Sequence, residues 1–201
     1  MRSNFAGMIL QEKKFNRVHR ILHWTIAATI LFLILTILLR SGWMNKSHIA
    51  AIVQKNLSKS GYTISDKDAA EIGKEVRNSM WQWHIIAGYV LIGLYILRII
   101  VLLKQGFAYK NPLSPGLNTK EKFRSWLYLI FYVLLTLTLI TGFMIVNGPK
   151  SLEGPMKFIH TKALYYVVVF IILHIGGVLI ADAGEERGLI SKMVSGDKHL
   201  K

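Results

Sequence analysis

The sequence contains no cysteine. That absence removes disulfides, iron–sulfur clusters held by thiolates, and the C-x-x-C-H attachment of c-type haem. Any prosthetic group must therefore be held noncovalently. Acidic residues are scarce too, with 11 Asp and Glu against 25 Lys and Arg, a net charge of +14. The surplus does not read as nucleic-acid binding, because no basic cluster with interleaved aromatics sits on a soluble module. It falls in loops flanking long apolar runs, where anionic lipid headgroups and the positive-inside rule account for it.

What the chain has in quantity is apolar sequence. Hydrophobic residues make up 52% of 201 positions, and several runs of about twenty residues point to an integral membrane protein. The length leaves room for one domain, residues 1–201. Four spans are expected, at about 21–39, 83–103, 126–146 and 160–181. The first is too long for a signal-peptide core and lacks a small-residue cleavage site. The fold class is therefore an all-α integral membrane protein, a four-transmembrane-helix bundle.

Between the first two spans lies an insertion, residues 41–80. Ile49, Ile52, Val53 and Leu57 recur at helical spacing there. Ser65 followed by Asp68 resembles a capping box, opening a second stretch with Ala69, Ile72 and Val76 on one face. Two short amphipathic helices lying on the membrane surface are expected. They serve as a structural cap over the bundle or as a docking surface for a redox partner. The link from Lys104 to Lys122 holds Pro112 and Pro115 and reads as a loop, and Asn147-Gly148-Pro149 turns the chain into the last span. Counting Lys and Arg by side puts 15 with the termini and 10 opposite, so both termini are expected in the cytoplasm.

The last apolar segment, Pro155 to Asp182, carries His160 and His174, 14 residues apart. On an α-helix that is nearly four turns, so the rings share a face and stand about 21 Å apart along the axis. Ionisable groups at such depths are costly and call for partners. With four antiparallel spans, His23 opens the first and lies on the inner side with His174, while His84 opens the second and lies on the outer side with His160. Two neutral imidazoles from facing helices can occupy both axial positions of a haem iron, which leaves no open coordination site and suits electron transfer. Two haems at different depths would carry electrons across the bilayer.

A single histidine at a helix end is more often an interfacial polar residue, but four in two depth-matched pairs is a rarer coincidence. Zinc would need a third ligand at the same depth or an H-E-x-x-H pattern, and neither pair supplies one. His19 could replace His23 as a ligand, but it lies outside the apolar run, and His23 is preferred. His48 and His199 read as exposed. Gly88, Gly176 and Gly177 lie beside the histidines, where small residues admit either a neighbouring helix or a flat macrocycle. Arg98, deep in the second span, would pair with a haem propionate or snorkel to the headgroups.

These residues resemble the bacterial cytochrome b561 and nickel–iron hydrogenase b-type cytochrome family. The matching pieces are Arg20-Ile-Leu-His23-Trp24, Trp83-His84 with Gly88, Leu97-Arg98, His160 with His174, and the tail Met193-Val-Ser-Gly196. The resemblance covers nearly the whole chain apart from the insertion. It implies a four-helix cytochrome of the bacterial cytoplasmic membrane with two noncovalent b-type haems, their iron ligated by His23, His84, His160 and His174, exchanging electrons with quinone in a respiratory chain. Two functional classes stay open within it. One is the membrane subunit linking a catalytic redox partner to the quinone pool, towards which the insertion tilts the reading. The other is a self-sufficient oxidoreductase acting on a small molecule such as superoxide. Outside the resemblance, a haem-free transporter or assembly factor remains the third class.

Overall fold

Most of the helices begin where a polar side chain can satisfy their first free N–H groups. The Asn16 side chain accepts from the His19 amide at 2.7 Å and starts α1, Arg17–Ser41. Asn45 does the same for α2, Lys46–Lys59, and Ser65 for α3, Asp66–Gln105. Asn118 starts α4, Thr119–Asn147, in a full capping box, with Glu121 reaching back to the cap amide. At Ser65 the box is incomplete, because the Asp68 carboxylate accepts from the Ser65 hydroxyl at 2.7 Å instead. Three helices follow: α5 (Lys150–Thr161), α6 (Ala163–Ala183) and α7 (Leu189–Val194). The computed structural model describes residues 16–106, 110–184 and 186–196, and no strand occurs among them. Arg2, Lys13, Lys14 and His199 lie outside the described residues.

Four helical units are long and apolar enough to cross a bilayer: Arg17–Ser41, Asp66–Lys104, Thr119–Asn147 and Lys150–Ala183. They form the expected all-α, four-span bundle. Large apolar side chains such as Leu35, Val90, Ile140 and Ile172 face outwards, as lipid requires. Few apolar side chains fill the interior, so hydroxyls tie the helices together. Tyr95 on α3 bonds Thr136 on α4 at 2.6 Å. Tyr166 on α6 meets Thr138 on α4 at 2.6 Å and donates to the Leu134 carbonyl at 3.0 Å.

Two elements differ from the sequence expectation. The second amphipathic stretch is not a separate surface helix. It continues without interruption into the second span, and the resulting α3 of 40 residues is about 60 Å long, twice the hydrocarbon thickness. Its first half therefore stands clear of the hydrocarbon core, with α2 packed against it as a helical hairpin. The face that packs is made of small residues rather than Ile72 and Val76, which are 37% and 45% exposed. Ala50 and Ala69 are buried, and a Cβ on Gly73 would lie 2.4 Å from the Lys46 carbonyl oxygen. Only glycine permits that approach.

The last span also starts earlier than expected, at Lys150, because Pro149 serves as its N-cap and Pro155 is accommodated inside α5. The break at Lys162 keeps helical dihedrals (φ −70°, ψ −15°), so α5 and α6 act as one span.

Candidate functional site

The bundle brings the histidines together in two layers. Towards the hairpin, His84 on α3 faces His160 on α5, with ring centres 6.4 Å apart and planes at 84°. Towards the chain ends, His23 on α1 faces His174 on α6, at 6.1 Å and 53°. Metal–imidazole bonds are about 2 Å long, so two imidazoles opposed across one metal atom hold their ring centres roughly 6 Å apart. Both observed separations suit that arrangement. Among the described residues no third His, Cys, Asp or Glu joins either pair.

In the hairpin layer, hydrogen bonds assign the tautomers. Thr36, 2% exposed, gives its one hydroxyl proton to the Leu33 carbonyl at 2.6 Å. Its oxygen must then accept from His84 Nδ1, 2.7 Å away. With the proton on Nδ1, Nε2 of His84 keeps its lone pair for a metal. His160 follows the same logic. Its Nδ1 lies 3.1 Å from the Thr138 carbonyl oxygen, which can only accept, so this ring also keeps a basic Nε2. Thr141 lies beside it, 3.5 Å from Nδ1. The ring can reach the α4 backbone because position 142 is glycine, where a Cβ would stand 2.8 Å from His160 Cε1.

Aromatic contacts and the C-terminal segment hold the terminal layer. Phe170 lies parallel to His174, 5.5 Å between centres, and Phe131 is stacked on Phe170 at 3.6 Å. The Tyr128 hydroxyl is 3.3 Å from His174 Nδ1. Trp24 meets His23 edge-on at 5.4 Å, and its indole N–H donates to the Met193 carbonyl at 3.1 Å. Arg20 donates to the Val194 carbonyl at 3.4 Å. The chain then turns at Gly196 with φ +80°, where a Cβ would sit 2.5 Å from the Arg20 guanidinium. The Arg20 and Trp24 motif and the Met193–Gly196 motif are thus two halves of one contact.

Arg98 sits at this layer and bonds His19 Nδ1 at 3.0 Å and the Tyr132 hydroxyl at 3.4 Å. His19 therefore faces Arg98, while His23 faces His174. His48 is exposed. At Gly88, Gly176 and Gly177 no atom of another helix lies within 4 Å of where a Cβ would stand. Close helix packing therefore does not account for these three glycines, and a flat group beside the histidines would meet no side chain there.

Sequence reasoning did not find Thr36, Thr141 or Gly142. Thr36 and Thr141 were marked only by being hydroxyls in apolar helices, and Gly142 only by its place one turn after Thr138.

A membrane-spanning four-helix bundle with imidazoles paired in two layers defines an integral membrane cytochrome of the b type. The prokaryotic cytochrome b561 family model matches residues 14–196, and the chain belongs to that family. No curated protein and no solved structure matches it. It is a multi-pass membrane protein of electron transfer with haem b as its prosthetic group. The family match takes in the hairpin and the tail as well as the spans.

Proposed function

We propose that this cytochrome holds two haems, one per histidine layer, and passes electrons between membrane quinone and a redox partner protein docked at the hairpin end. His23 and His174 would hold one haem, and His84 and His160 the other. Bound there, each haem would supply a one-electron carrier. The observation that carries this reading is the pair of ring separations, 6.1 and 6.4 Å, together with the basic Nε2 that hydrogen bonding leaves on His84 and His160. The chain's own residues fix the ring planes and, for His84 and His160, keep Nε2 unprotonated by engaging Nδ1.

The membrane is the bacterial cytoplasmic membrane, with the termini and the His23/His174 layer on the cytoplasmic side, as the Lys and Arg distribution supports. The hairpin supports the partner reading, since a link between antiparallel helices needs only about 2–8 residues and this one builds a helix pair. Lys55 and Lys59 are exposed on it. The test is to reconstitute the haem-loaded protein in lipid and add quinol. Reduction of both haems is expected. Replacing Lys55 and Lys59 by Glu should leave that reduction unchanged and slow exchange with the partner, more at low than at high ionic strength. Fast turnover with a small oxidant, indifferent to these lysines, would favour the self-sufficient enzyme. Failure of quinol to reduce either haem would overturn the quinone assignment.

A further inference from the structure

At the hairpin end a guanidinium, an indole and an imidazole are stacked one on the next. Arg40 Cζ lies 4.2 Å from the centre of the Trp81 ring. Trp81 in turn lies parallel to His84, 4.3 Å between centres and 5° between planes. Trp81 precedes His84 by three residues on α3, so both rings stand on one helix face. Arg40 comes from the last turn of α1, and the electron-rich indole face attracts its cation. Among the described residues no carboxylate pairs with Arg40, so its charge is not neutralised by a side chain. The terminal layer has a counterpart stack without a cation, since Phe170 on His174 is backed by Phe131.

We propose that Arg40, held by Trp81 against the back of His84, is a positioning residue that raises the reduction potential of the hairpin-layer haem. The inference rests on the reading of His84 as an axial ligand. Reduction adds one electron to the centre that His84 ligates, and a fixed positive charge nearby lowers the energy of the reduced state. Arg40, Trp81 and His84 are all half-buried, so screening between them is weaker than in bulk water. Trp81 sets the distance, because it touches both groups, with the cation 4.2 Å from its ring centre and the imidazole parallel to it at 4.3 Å. It also limits rotation of the His84 ring, whose other edge Thr36 fixes. An anchoring role alone, with Trp81 in the aromatic belt and Arg40 reaching the headgroups, accounts for these residue types at this depth. It needs no parallel stack on a histidine, and it leaves the potential unmoved.

An optical redox titration of the haem-loaded protein, with haem content measured on each variant, decides between them. Arg40→Gln is expected to keep full haem content and to shift one midpoint downwards with the other unchanged. Arg40→Lys, which keeps the charge, should restore most of the shift. Trp81→Leu should lower the same midpoint by less than Arg40→Gln, because the cation remains but is no longer held in place. Two unchanged midpoints in Arg40→Gln would overturn the proposal. If that variant fails to assemble, an unchanged midpoint in Trp81→Leu overturns it equally. A His84→Ala protein that keeps the same haem content would overturn the ligand reading itself, a distinct failure seen before any potential is measured.

Discussion

The two histidine layers use the same four helical spans yet are held by different means. In the hairpin layer both rings are pinned by hydrogen bonds to neighbouring helices, His84 to Thr36 on α1 and His160 to the Thr138 carbonyl on α4, with Trp81 stacked on His84 besides. In the terminal layer aromatic contacts predominate, Phe170 parallel to His174 and Trp24 edge-on to His23, with one longer polar contact from the Tyr128 hydroxyl to His174 Nδ1 at 3.3 Å. Trp24 is itself tied to the C-terminal segment. A hydrogen bond fixes a tautomer and a direction, whereas a stacked ring fixes only a plane. The hairpin layer is therefore sensitive to single atoms, and the terminal layer to the docking of a distant piece of chain.

Single-site changes can break this contrast. The largest effect is expected from the histidines. His160→Ala should remove the hairpin-layer haem and leave the other, and His174→Ala should do the reverse, each seen as half the wild-type haem per folded chain. A single change that emptied both layers of a protein still folded in the membrane would contradict separate pairs. Gly142→Ala comes next. Its Cβ would stand 2.8 Å from the His160 ring, and the helix backbone beneath cannot retreat. Loss of most hairpin-layer haem is expected, with the terminal-layer spectrum unchanged.

Thr36→Val keeps the shape and removes the acceptor for His84 Nδ1. A buried N–H without a partner costs about 1–3 kcal/mol, and loss of such an outer partner typically weakens metal binding about 10- to 100-fold. Haem titration of the apoprotein should show that loss in one phase only. The smallest effect belongs to the tail. Gly196→Ala places a side chain at φ +80° and against Arg20, at a backbone cost of about 1–2 kcal/mol. It should loosen the tail and perturb the terminal-layer spectrum while haem content stays whole. A shift in the hairpin layer instead would break the assignment of the tail to one end.

How much of this the sequence discloses follows from the kind of signal each feature leaves. Four apolar runs are long enough to be read directly, and once they are taken as antiparallel the depths of His23, His84, His160 and His174 follow from their positions alone. The continuity of α3 was also present, since no proline or glycine interrupts residues 74–80, but the change from amphipathic to wholly apolar pattern at Trp81 masked it. Pro155 obscured the true start of the last span, although Gly148 and Pro149 mark it. Thr36, Thr141 and Gly142 could not be read in this way. A threonine bonded to its own helix and a threonine bonded to a histidine 48 residues away look alike in sequence. Which one is present depends on helix rotation, and that is decided by packing between spans.

The pairing of histidines into two layers is tested most directly by the amount of haem b per purified chain, measured after acid–acetone extraction against a quantified protein concentration. Two haems per chain are expected, fully extracted because no cysteine anchors them. One haem or none in the folded, haem-saturated protein would contradict it.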